Sequence, residues 1–203
     1  MLTFTDDYTR KSWVYLTEDR VSLPSVFAAW KALVERQSGY KLLAVRSDNA
    51  PEYKALGNDT IAKQGIIYER TVVYTPKENG PSERLNRSLI TMARLMLLAT
   101  KLPARYWGFA VTIACYLRNR MPIGPRGKSP EEAFTGRKPS TRHLRTFGCI
   151  AYADIPSANR EKLEPTARKM ILIGYMPMSK QYQLYDLISK LVIISLNPKF
   201  KED

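Results

Sequence analysis

Two acidic residues have a spacing and a setting that could hold a metal ion. Asp48 follows the short apolar run from Lys41 to Val45, which predicts a strand that ends in a carboxylate. Glu83 lies farther along, on the first turn of a helix that is predicted to begin at Pro81. A strand-end Asp and a helix-start Glu can converge in an α/β fold, and Mg²⁺ prefers such hard oxygen ligands. The pair therefore predicts a Mg²⁺ site.

The elements that must position Asp48 are predicted from residues 1–68. Leu2 to Thr5 and Trp13 to Leu16 are β-like runs around a turn at residues 6–10, which predicts a hairpin. An amphipathic helix follows from Leu23, ends at Gly39, and carries Leu23, Val26, Phe27, Trp30, Leu33 and Val34 on its apolar face. Leu42 to Val45 then predicts a buried strand, and a strand after a crossover helix favours a parallel or mixed sheet. Residues 55–63 predict a short helix and 66–68 a short strand.

The rest of the chain predicts two more helices and then a change of pattern. A helix over residues 81–100 has Leu85, Leu89, Met92 and Met96 on its inner stripe, and another follows over 104–120. Residues 121–130 are rich in Pro, Gly and basic residues and predict a linker. Beyond Phe147 the periodicity becomes two, with four short strands in the segments CIAYADI, KMILIGYM, YQLYDL and KLVIISL. Such spacing predicts a small β-barrel after an α/β body.

The charge distribution points to an anionic partner. The chain of 203 residues has a formal net charge of +13 and a pI of about 9.8. Residues 77–128 alone carry 10 Lys and Arg residues against 2 acids, so the excess concentrates on the helices around Glu83. A solvated basic face is the plain alternative. An excess of this size favours nucleic acid as the partner.

Other residue types exclude several classes of protein. Two cysteines, Cys115 and Cys149, and a single histidine, His143, are too few for a structural zinc site, so no zinc is expected. The cysteines are expected to be small core residues. No apolar run approaches the roughly 20 residues of a membrane span, and the first residues lack a signal-peptide pattern. We expect a soluble intracellular protein, in the nucleus or cytoplasm, that does not contact membrane.

Five segments in the same order resemble the integrase core of copia-type LTR retrotransposon Pol polyproteins. The matching residues are Phe4, Asp6, Asp7, Tyr8, Arg10 and Trp13 to Tyr15 in the hairpin, Arg46 to Asn49 with Glu52 and Tyr53, Tyr74 to Pro76 with Asn79, Gly80, Glu83, Arg84, Asn86 and Arg87, and Leu102, Pro103, Trp107, Ala110, Ala114, Tyr116, Leu117, Asn119 and Arg120. The fifth segment, after Phe147, resembles the β-barrel that follows these cores. Any one motif can occur by chance, but five in register are specific.

The resemblance implies a ribonuclease H-like fold followed by a small Src-homology-3-like β-barrel. We expect a partial catalytic core over residues 1–122, a linker with a short helix over 123–145, and the barrel over 146–203. The family uses three acids to bind two Mg²⁺ or Mn²⁺ ions; Asp48 matches the second and Glu83 the third. The first lies upstream of the hairpin in the family, and Asp6 and Asp7 match its non-catalytic turn acids. We therefore expect an N-terminally truncated core with its first strand missing, inactive by itself.

Three functions stay open at this stage. The first is an active integrase, a Mg-dependent polynucleotidyl transferase that processes DNA ends and joins them to a target, acting as a homo-oligomer. The second, which we rank first, is a remnant that keeps the fold without the chemistry. The third is a non-enzymatic nucleic-acid-binding protein. The residues expected to contact DNA are Asn79, Arg84, Arg87, Arg94, Lys101, Arg118 and Arg120.

Overall fold

The contacts of the chain fall into two compact units. The computed structural model describes residues 1–19, 21–48, 50–71, 76–123, 127–154, 165–177, 179 and 181–202, apart from the side chains of 59–60 and 76–79. The first unit contains Met1–Ser88 and Pro122–Arg137, and the second contains Leu89–Met121 and Lys138–Asp203. The domain boundaries expected from the sequence stay predictions.

The first unit opens with the predicted hairpin. Strands β1 (Leu2–Thr5) and β2 (Ser12–Tyr15) pair in antiparallel register. Asp6 closes the turn, because its Oδ2 accepts hydrogen bonds from both the amide and the hydroxyl of Thr9, at 2.8 and 2.5 Å. The carboxylate of Asp6 is therefore engaged in turn geometry, in keeping with its assignment as a turn acid.

Helix α1 (Leu23–Ser38) supplies the core of the first unit. Gly39 ends it with a φ of 75°, a left-handed conformation that favours glycine, and its amide donates to the carbonyl of Glu35. Leu23, Phe27 and Trp30 are buried together with Leu2 from the hairpin. The predicted apolar face is confirmed at those positions, but Leu33 is exposed.

A parallel strand pair follows α1. Strands β3 (Ala44–Ser47) and β4 (Ile67–Arg70) pair in register, joined by helix α2 (Pro51–Leu56), a π-helical turn (Gly57–Ile61) and a 3₁₀ turn (Ala62–Gln64). The predicted burial of the strand at 42–45 is wrong, because Leu43 is 75% exposed. Among the described residues these strands pair only with each other, so much of their surface stays uncovered.

Helix α3 (Pro76–Thr100) begins five residues earlier than expected and includes Asn79-Gly80, for which the sequence indicates a turn. Pro81 has no amide proton, so the backbone carbonyl four residues before it lacks its usual helical donor. That carbonyl lies in the first turn of α3, where the loss is tolerated. The buried stripe contains Leu85, Leu89 and Ala93, while Met92 and Met96 are half-buried.

Helices α4 and α5 confirm the remaining helical predictions. A 3₁₀ turn (Ala104–Tyr106) leads into α4 (Trp107–Arg120), which buries Ala110, Val111 and Ala114, although Trp107 is 46% exposed. Helix α5 (Pro130–Thr135) belongs to the first unit and begins with a capping residue, because Ser129 Oγ accepts the amide of Glu132. None of the helices in the described residues has both the length and the apolar character to cross a membrane.

The second unit is built on a five-stranded antiparallel sheet. Its strands are β5 (Ile150–Asp154), β6 (Ala167–Tyr175), β7 (Tyr182–Tyr185), β8 (Val192–Ser195) and β9 (Lys199–Lys201), in the order β8-β7-β6-β5-β9. Four of them were predicted. The sequence did not predict β9, because it is only three residues long and two of those residues are lysines.

Aromatic residues join residues 138–145 to the sheet of the second unit. Tyr116 of α4 stacks on Tyr175 with ring centroids 4.8 Å apart. The hydroxyl of Tyr175 donates to the carbonyl of Arg145 and accepts from its amide, both at 2.8 Å. Burial raises the pKa of Tyr175 to about 12, so this hydroxyl stays protonated as a donor. The last part of the predicted linker therefore packs against the sheet.

Neither Cys115 nor Cys149 forms a disulfide among the residues that the structure describes. Cys115 is buried and Cys149 half-buried. Burial raises the pKa of the Cys149 thiol to about 11, which leaves it protonated and unreactive near neutral pH.

Candidate metal centre and nucleic-acid surface

Asp48 lies where β3 ends and the chain turns into α2. Its side chain is half-buried, and its Oδ1 accepts the amide of Ala50 at 3.1 Å. Ala50 precedes the helix with φ −60° and ψ 141°, which any residue can adopt, so no glycine is required there. This turn fixes one carboxylate oxygen of Asp48, and a carboxylate has further lone pairs to offer a cation.

A hydroxyl network holds the end of β3 in place. The hydroxyls of Ser47 and Tyr68 lie 2.7 Å apart, Tyr68 is 2.8 Å from the carbonyl of Tyr53, and Ser47 is 3.0 Å from the carbonyl of Asp48. The two hydroxyl groups have only two protons for these three contacts. Tyr68 donates its proton to the carbonyl of Tyr53. Ser47 then has one proton, which it donates either to the carbonyl of Asp48 or to the hydroxyl of Tyr68. The network ties β3, β4 and α2 together directly beside Asp48.

Gly57 allows that network to form. Its Cα lies against the ring of Tyr68, and a Cβ at this position would overlap the ring. The supporting residues Ser47, Tyr53, Tyr68 and Gly57 were not identified from the sequence as part of the site. Ser47 stands next to Asp48, but nothing in a sequence indicates that Tyr68, 21 residues away, meets it.

Glu83 lies on α3 in the same unit as Asp48 and is exposed. Because α3 begins at Pro76, Glu83 is about two turns inside the helix, and the prediction that it occupies the first turn is wrong. The positive end of the helix dipole acts mainly within the first turn, so it contributes little at Glu83. Among the described residues, no group of three or more metal-binding side chains comes together.

The donor set fits a hard divalent cation only in part. Asp48 and Glu83 supply the carboxylate oxygens that Mg²⁺ prefers, but two carboxylates form a smaller protein ligand set than the three acids that the resemblance implies for the family. The structure leaves the assignment of both residues as metal ligands a prediction.

Four of the basic residues expected to contact DNA are exposed. Arg84 and Arg87 lie three positions apart on α3 in the first unit, and Arg94 and Lys101 belong to the second. Exposed guanidinium and ammonium groups are free to contact phosphate. The backbone of Asn79 is part of α3, but its side chain lies outside the described residues.

Arg118 and Arg120 are half-buried at the end of α4. The guanidinium of Arg120 lies 3.4 Å from the ring centroid of Tyr116 and donates to the carbonyl of Tyr116 at 3.2 Å. Contact with a phosphate would compete with this packing. Of the expected DNA contacts, Arg84, Arg87, Arg94 and Lys101 are therefore the more accessible.

The two units define the class of protein. A chain in the cryo-EM structure of the simian T-cell lymphotropic virus intasome in complex with the PP2A regulatory subunit B56 gamma shares this fold. It aligns with a TM-score of 0.52 and 15% identity, over 87% of this chain and 66% of that chain. Residues 149–203 match the family described as retroviral polymerase SH3-like domain. The fold is therefore an integrase-core α/β fold followed by an SH3-like domain.

Sequence relatives give a more specific placement. The Pol polyprotein of transposon TNT 1-94 from Nicotiana tabacum is 41% identical over 203 residues, which is 99% of this chain and 15% of the relative. The Pol polyprotein of transposon RE2 from Arabidopsis thaliana is 30% identical over 98% of this chain and 14% of the relative. The chain thus spans about one seventh of the curated relatives it matches. It is an integrase-like segment of a retrotransposon Pol polyprotein, and the resemblance found in the sequence is confirmed.

Proposed function

We propose that this chain supplies part of a metal-dependent centre that cuts and joins DNA strands. Asp48 would hold the cation from the end of β3, and Glu83 would hold it from α3. The observation that carries the proposal is the placement of Asp48, whose half-buried carboxylate accepts the Ala50 amide and whose backbone carbonyl accepts from the Ser47 hydroxyl network. It is supported by 41% identity to a Pol polyprotein along 99% of the chain.

The chemistry assigns separate tasks to the cation and to the chain. When bound, a divalent cation activates a hydroxyl nucleophile and offsets charge on the phosphate. Asp48 and Glu83 bind and orient that cation, and Arg84 and Arg87 hold the DNA backbone beside Glu83. Because two carboxylates make an incomplete protein ligand set, we expect weak metal binding by this chain and no efficient strand transfer by the chain alone.

Metal binding gives the first test. We expect Mn²⁺, followed by the relaxation of water protons, to bind about tenfold or more weakly to Asp48→Asn and to Glu83→Gln, because each variant removes one charged oxygen ligand. Glu18→Gln is the matched control, since it removes an exposed acid of the same unit. Equal Mn²⁺ affinity in all four proteins would contradict the assignment. So would Mg²⁺-dependent nicking of end-mimic DNA that persists in Asp48→Asn.

A second candidate function is nucleic-acid binding without catalysis, which the exposed basic residues favour. This function needs no metal and depends on the release of counterions from DNA. It also accommodates a larger assembly, because the solved chain that shares this fold is named as part of an intasome. Binding to DNA that is indifferent to Mg²⁺ would support this candidate, and metal-dependent binding would support the first.

Salt dependence tests the DNA contacts of α3. We expect the double variant Arg84→Glu/Arg87→Glu to weaken binding to duplex DNA, and to reduce the slope of log K against log salt by about 2, since each phosphate contact contributes about 0.9. The control is Arg36→Glu/Lys63→Glu, which changes the net charge equally at exposed positions on other elements of the same unit. If both double variants reduce the slope of log K against log salt by the same amount, the DNA contacts are not specific to α3. Fluorescence anisotropy at several salt concentrations measures these slopes.

A further inference from the structure

An apolar groove lies between the last turns of α3 and the start of α4. Its floor is buried, at Ala93 of α3 and Val111 of α4. Its walls include aliphatic side chains and one aromatic ring, which are Ile90, Leu97, Leu98, Leu102 and Trp107. The groove has a volume of about 540 Å³ and belongs entirely to the second unit. A volume of this size can accept several side chains of a partner.

The apolar walls of this groove are open to solvent. Leu98 is 68% and Trp107 46% exposed, and Ile90 is exposed as well. Single apolar side chains scattered over a surface need no explanation, but three large ones around one concave surface are typical of a binding site.

Two cations flank the groove. Arg94 and Lys101 both line it, seven positions apart in the sequence, which places them about 10 Å apart along the axis of α3. In the part of the chain that the structure describes, no acidic residue lines the groove and no ion pair includes either cation. Residues 84–130 contain no Asp or Glu. The groove therefore favours an occupant that is apolar and carries negative charge.

The groove also indicates the conformation of its occupant. Its walls are mostly side chains of two helices, whose backbone groups are largely hydrogen-bonded within each helix. An extended peptide would find no ladder to pair with, so its own amides and carbonyls would be buried without partners. A helix satisfies those groups internally and can lay an apolar stripe into a groove. From Ile90 to Lys101 the groove follows about 16 Å of α3, which is the length of about three helical turns.

Duplex DNA fits the groove less well than a helix does. DNA presents phosphates on its outside and keeps its bases stacked, so it offers no apolar surface to fill the groove. Unpaired bases stack on aromatic platforms, whereas the walls here are aliphatic apart from Trp107.

A second copy of this chain also fits the groove poorly. A two-fold contact of this face with itself would bring Arg94 and Lys101 of both copies together, and like charges repel. None of the helices in the described residues carries two acidic residues seven positions apart, so another face of a second copy offers no matching helix. The net charge of +13 adds a general repulsion between copies.

We propose that the groove between α3 and α4 binds an amphipathic helix of a partner protein that carries two acidic residues about two turns apart. The helix packs its apolar stripe against Leu98 and Trp107 and sets its carboxylates beside Arg94 and Lys101. In this arrangement Arg94 and Lys101 contact a protein rather than DNA. The site uses none of the residues proposed above to hold the metal or the DNA, so it does not depend on that function.

Lys101 allows one charge to be removed without cost to the fold. It follows the last turn of α3 with a φ of 56°, and the amides of Lys101 and Leu102 donate to the carbonyls of Leu98 and Leu97 at 3.3 and 3.1 Å. This left-handed position after a helix favours glycine. Lys101→Gly therefore removes the ammonium and is expected to raise the melting temperature slightly. Lys190→Gly is the matched control, because Lys190 is an exposed lysine of the same unit, outside the groove, with a φ of 60°.

A synthetic helix tests the charge of the groove on the full chain. The probe is a fluorescein-labelled peptide of sequence SPEAALLAQEAALLAQ, in which two glutamates stand seven positions apart on the side of the leucine stripe. Its binding is followed by fluorescence anisotropy. We expect Lys101→Gly to weaken binding about three- to fivefold, the effect of one exposed ion pair, and Arg94→Gln/Lys101→Gly to weaken it about tenfold. Lys190→Gly is expected to leave binding unchanged.

A second pair of variants tests the apolar part of the site. Leu98→Glu places a carboxylate in the groove, and we expect it to weaken binding of the peptide about tenfold or more. Leu95→Glu is its matched control, because it adds the same charge at an exposed leucine of α3 that does not line the groove. An equal loss of binding in both variants would overturn the proposal.

Two control peptides separate the groove from the general positive charge of the chain. One has glutamine in place of both glutamates and keeps the leucine stripe, while the other is a scrambled sequence that keeps the charge and breaks the stripe. We expect each to bind about tenfold more weakly than the probe. Equal binding of either control peptide would overturn the proposal, because the groove would then not read charge and stripe together.

Two other outcomes would identify a different occupant and overturn the proposal. A dimer in sedimentation that Leu98→Glu dissociates would place a second copy of this chain in the groove. A larger loss of duplex DNA binding than of peptide binding in Lys101→Gly would assign Lys101 to DNA. We expect Lys101→Gly to change DNA binding no more than Lys190→Gly does.

Discussion

Glu131→Gln is expected to destabilise the first unit by about 2 to 4 kcal/mol. Glu131 forms an ion pair with Lys11, in which Oε2 of Glu131 lies 3.0 Å from Nζ of Lys11. The side chains of Lys11 and Glu131 are only 8% and 21% exposed. Removing the carboxylate leaves the ammonium of Lys11 buried without its counter-charge, and breaking a buried pair in this way costs roughly 3 to 5 kcal/mol. The partial exposure of Glu131 lowers the expected loss.

Two rings also limit the loss. The ammonium of Lys11 lies 4.4 Å from the ring centroid of Phe134 and 5.4 Å from that of Trp13. These rings offer the cation a favourable surface, which is worth about 0.5 to 2 kcal/mol and survives the substitution. The ion pair between Lys11 and Glu131 also connects α5 to the hairpin of β1 and β2.

Urea unfolding followed by tryptophan fluorescence measures this effect, because Trp13 and Trp30 lie in the first unit. Glu132→Gln is the matched control, since it removes the same charge one residue along α5, and we expect a change below about 0.5 kcal/mol. The double variant Lys11→Met/Glu131→Leu removes both charges and should recover most of the stability. A loss in Glu131→Gln no larger than that of the control would show that the ion pair is not coupled to folding.

Asp186→Asn is expected to destabilise the second unit by about 2 to 4 kcal/mol at neutral pH. Asp186 is fully buried and its carboxylate accepts three hydrogen bonds, from the amide of Ile188 and the hydroxyl of Ser189 at 2.9 and 2.8 Å and from Arg168 at 3.1 Å. An asparagine would turn an NH₂ group towards donors, so at least one of these bonds is lost and a buried donor is left without an acceptor.

The same site predicts a dependence of stability on pH. Burial raises the pKa of Asp186, but the hydrogen bonds from Ile188, Ser189 and Arg168 outweigh it and hold the pKa below its usual value. A carboxyl whose pKa is lower in the folded state adds stability above its unfolded pKa of about 3.9. That stability is lost as the pH falls through the folded pKa. The difference between the unmodified chain and Asp186→Asn should therefore be largest above about pH 5 and shrink in stronger acid.

Amide hydrogen exchange of β6 and β7, followed by mass spectrometry at several pH values, resolves the change within the second unit. Asp154→Asn is the control, because Asp154 is an exposed carboxylate on β5 of the same sheet. We expect its exchange to match that of the unmodified chain at every pH. A stability difference for Asp186→Asn that stays constant from neutral pH into acid would contradict the role of the charged carboxylate.

Elements with strong local patterns were predictable from the sequence. Helix α1 is an example, because an apolar stripe at helical spacing, Pro24 in the first turn and Gly39 after the last turn all favour the same helix. The hairpin of β1 and β2 is another, because Asp6 encodes the turn through bonds to Thr9, three residues away. In both cases the interactions that decide the structure are local.

Other elements were mispredicted where local and tertiary preferences differ. Asn79-Gly80 indicates a turn, yet α3 continues through it. The segment at 42–45 has the composition of a buried strand, yet Leu43 is 75% exposed. Burial depends on what packs against a segment, and a single sequence does not contain that information.

The sequence by itself indicated the class of protein and the basic character of α3, and it predicted Asp48 and Glu83 as site carboxylates, because each of these depends on residue type and order alone. Only the tertiary structure decided what surrounds them: that Tyr68 and Ser47 hold the strand end at Asp48, that Arg120 packs on Tyr116, and that Arg94 and Lys101 flank an apolar groove. These features depend on contacts between residues distant in the chain and on the register of paired strands. A shift of one residue in that register would reverse which side chains are exposed, and only the folded chain fixes it.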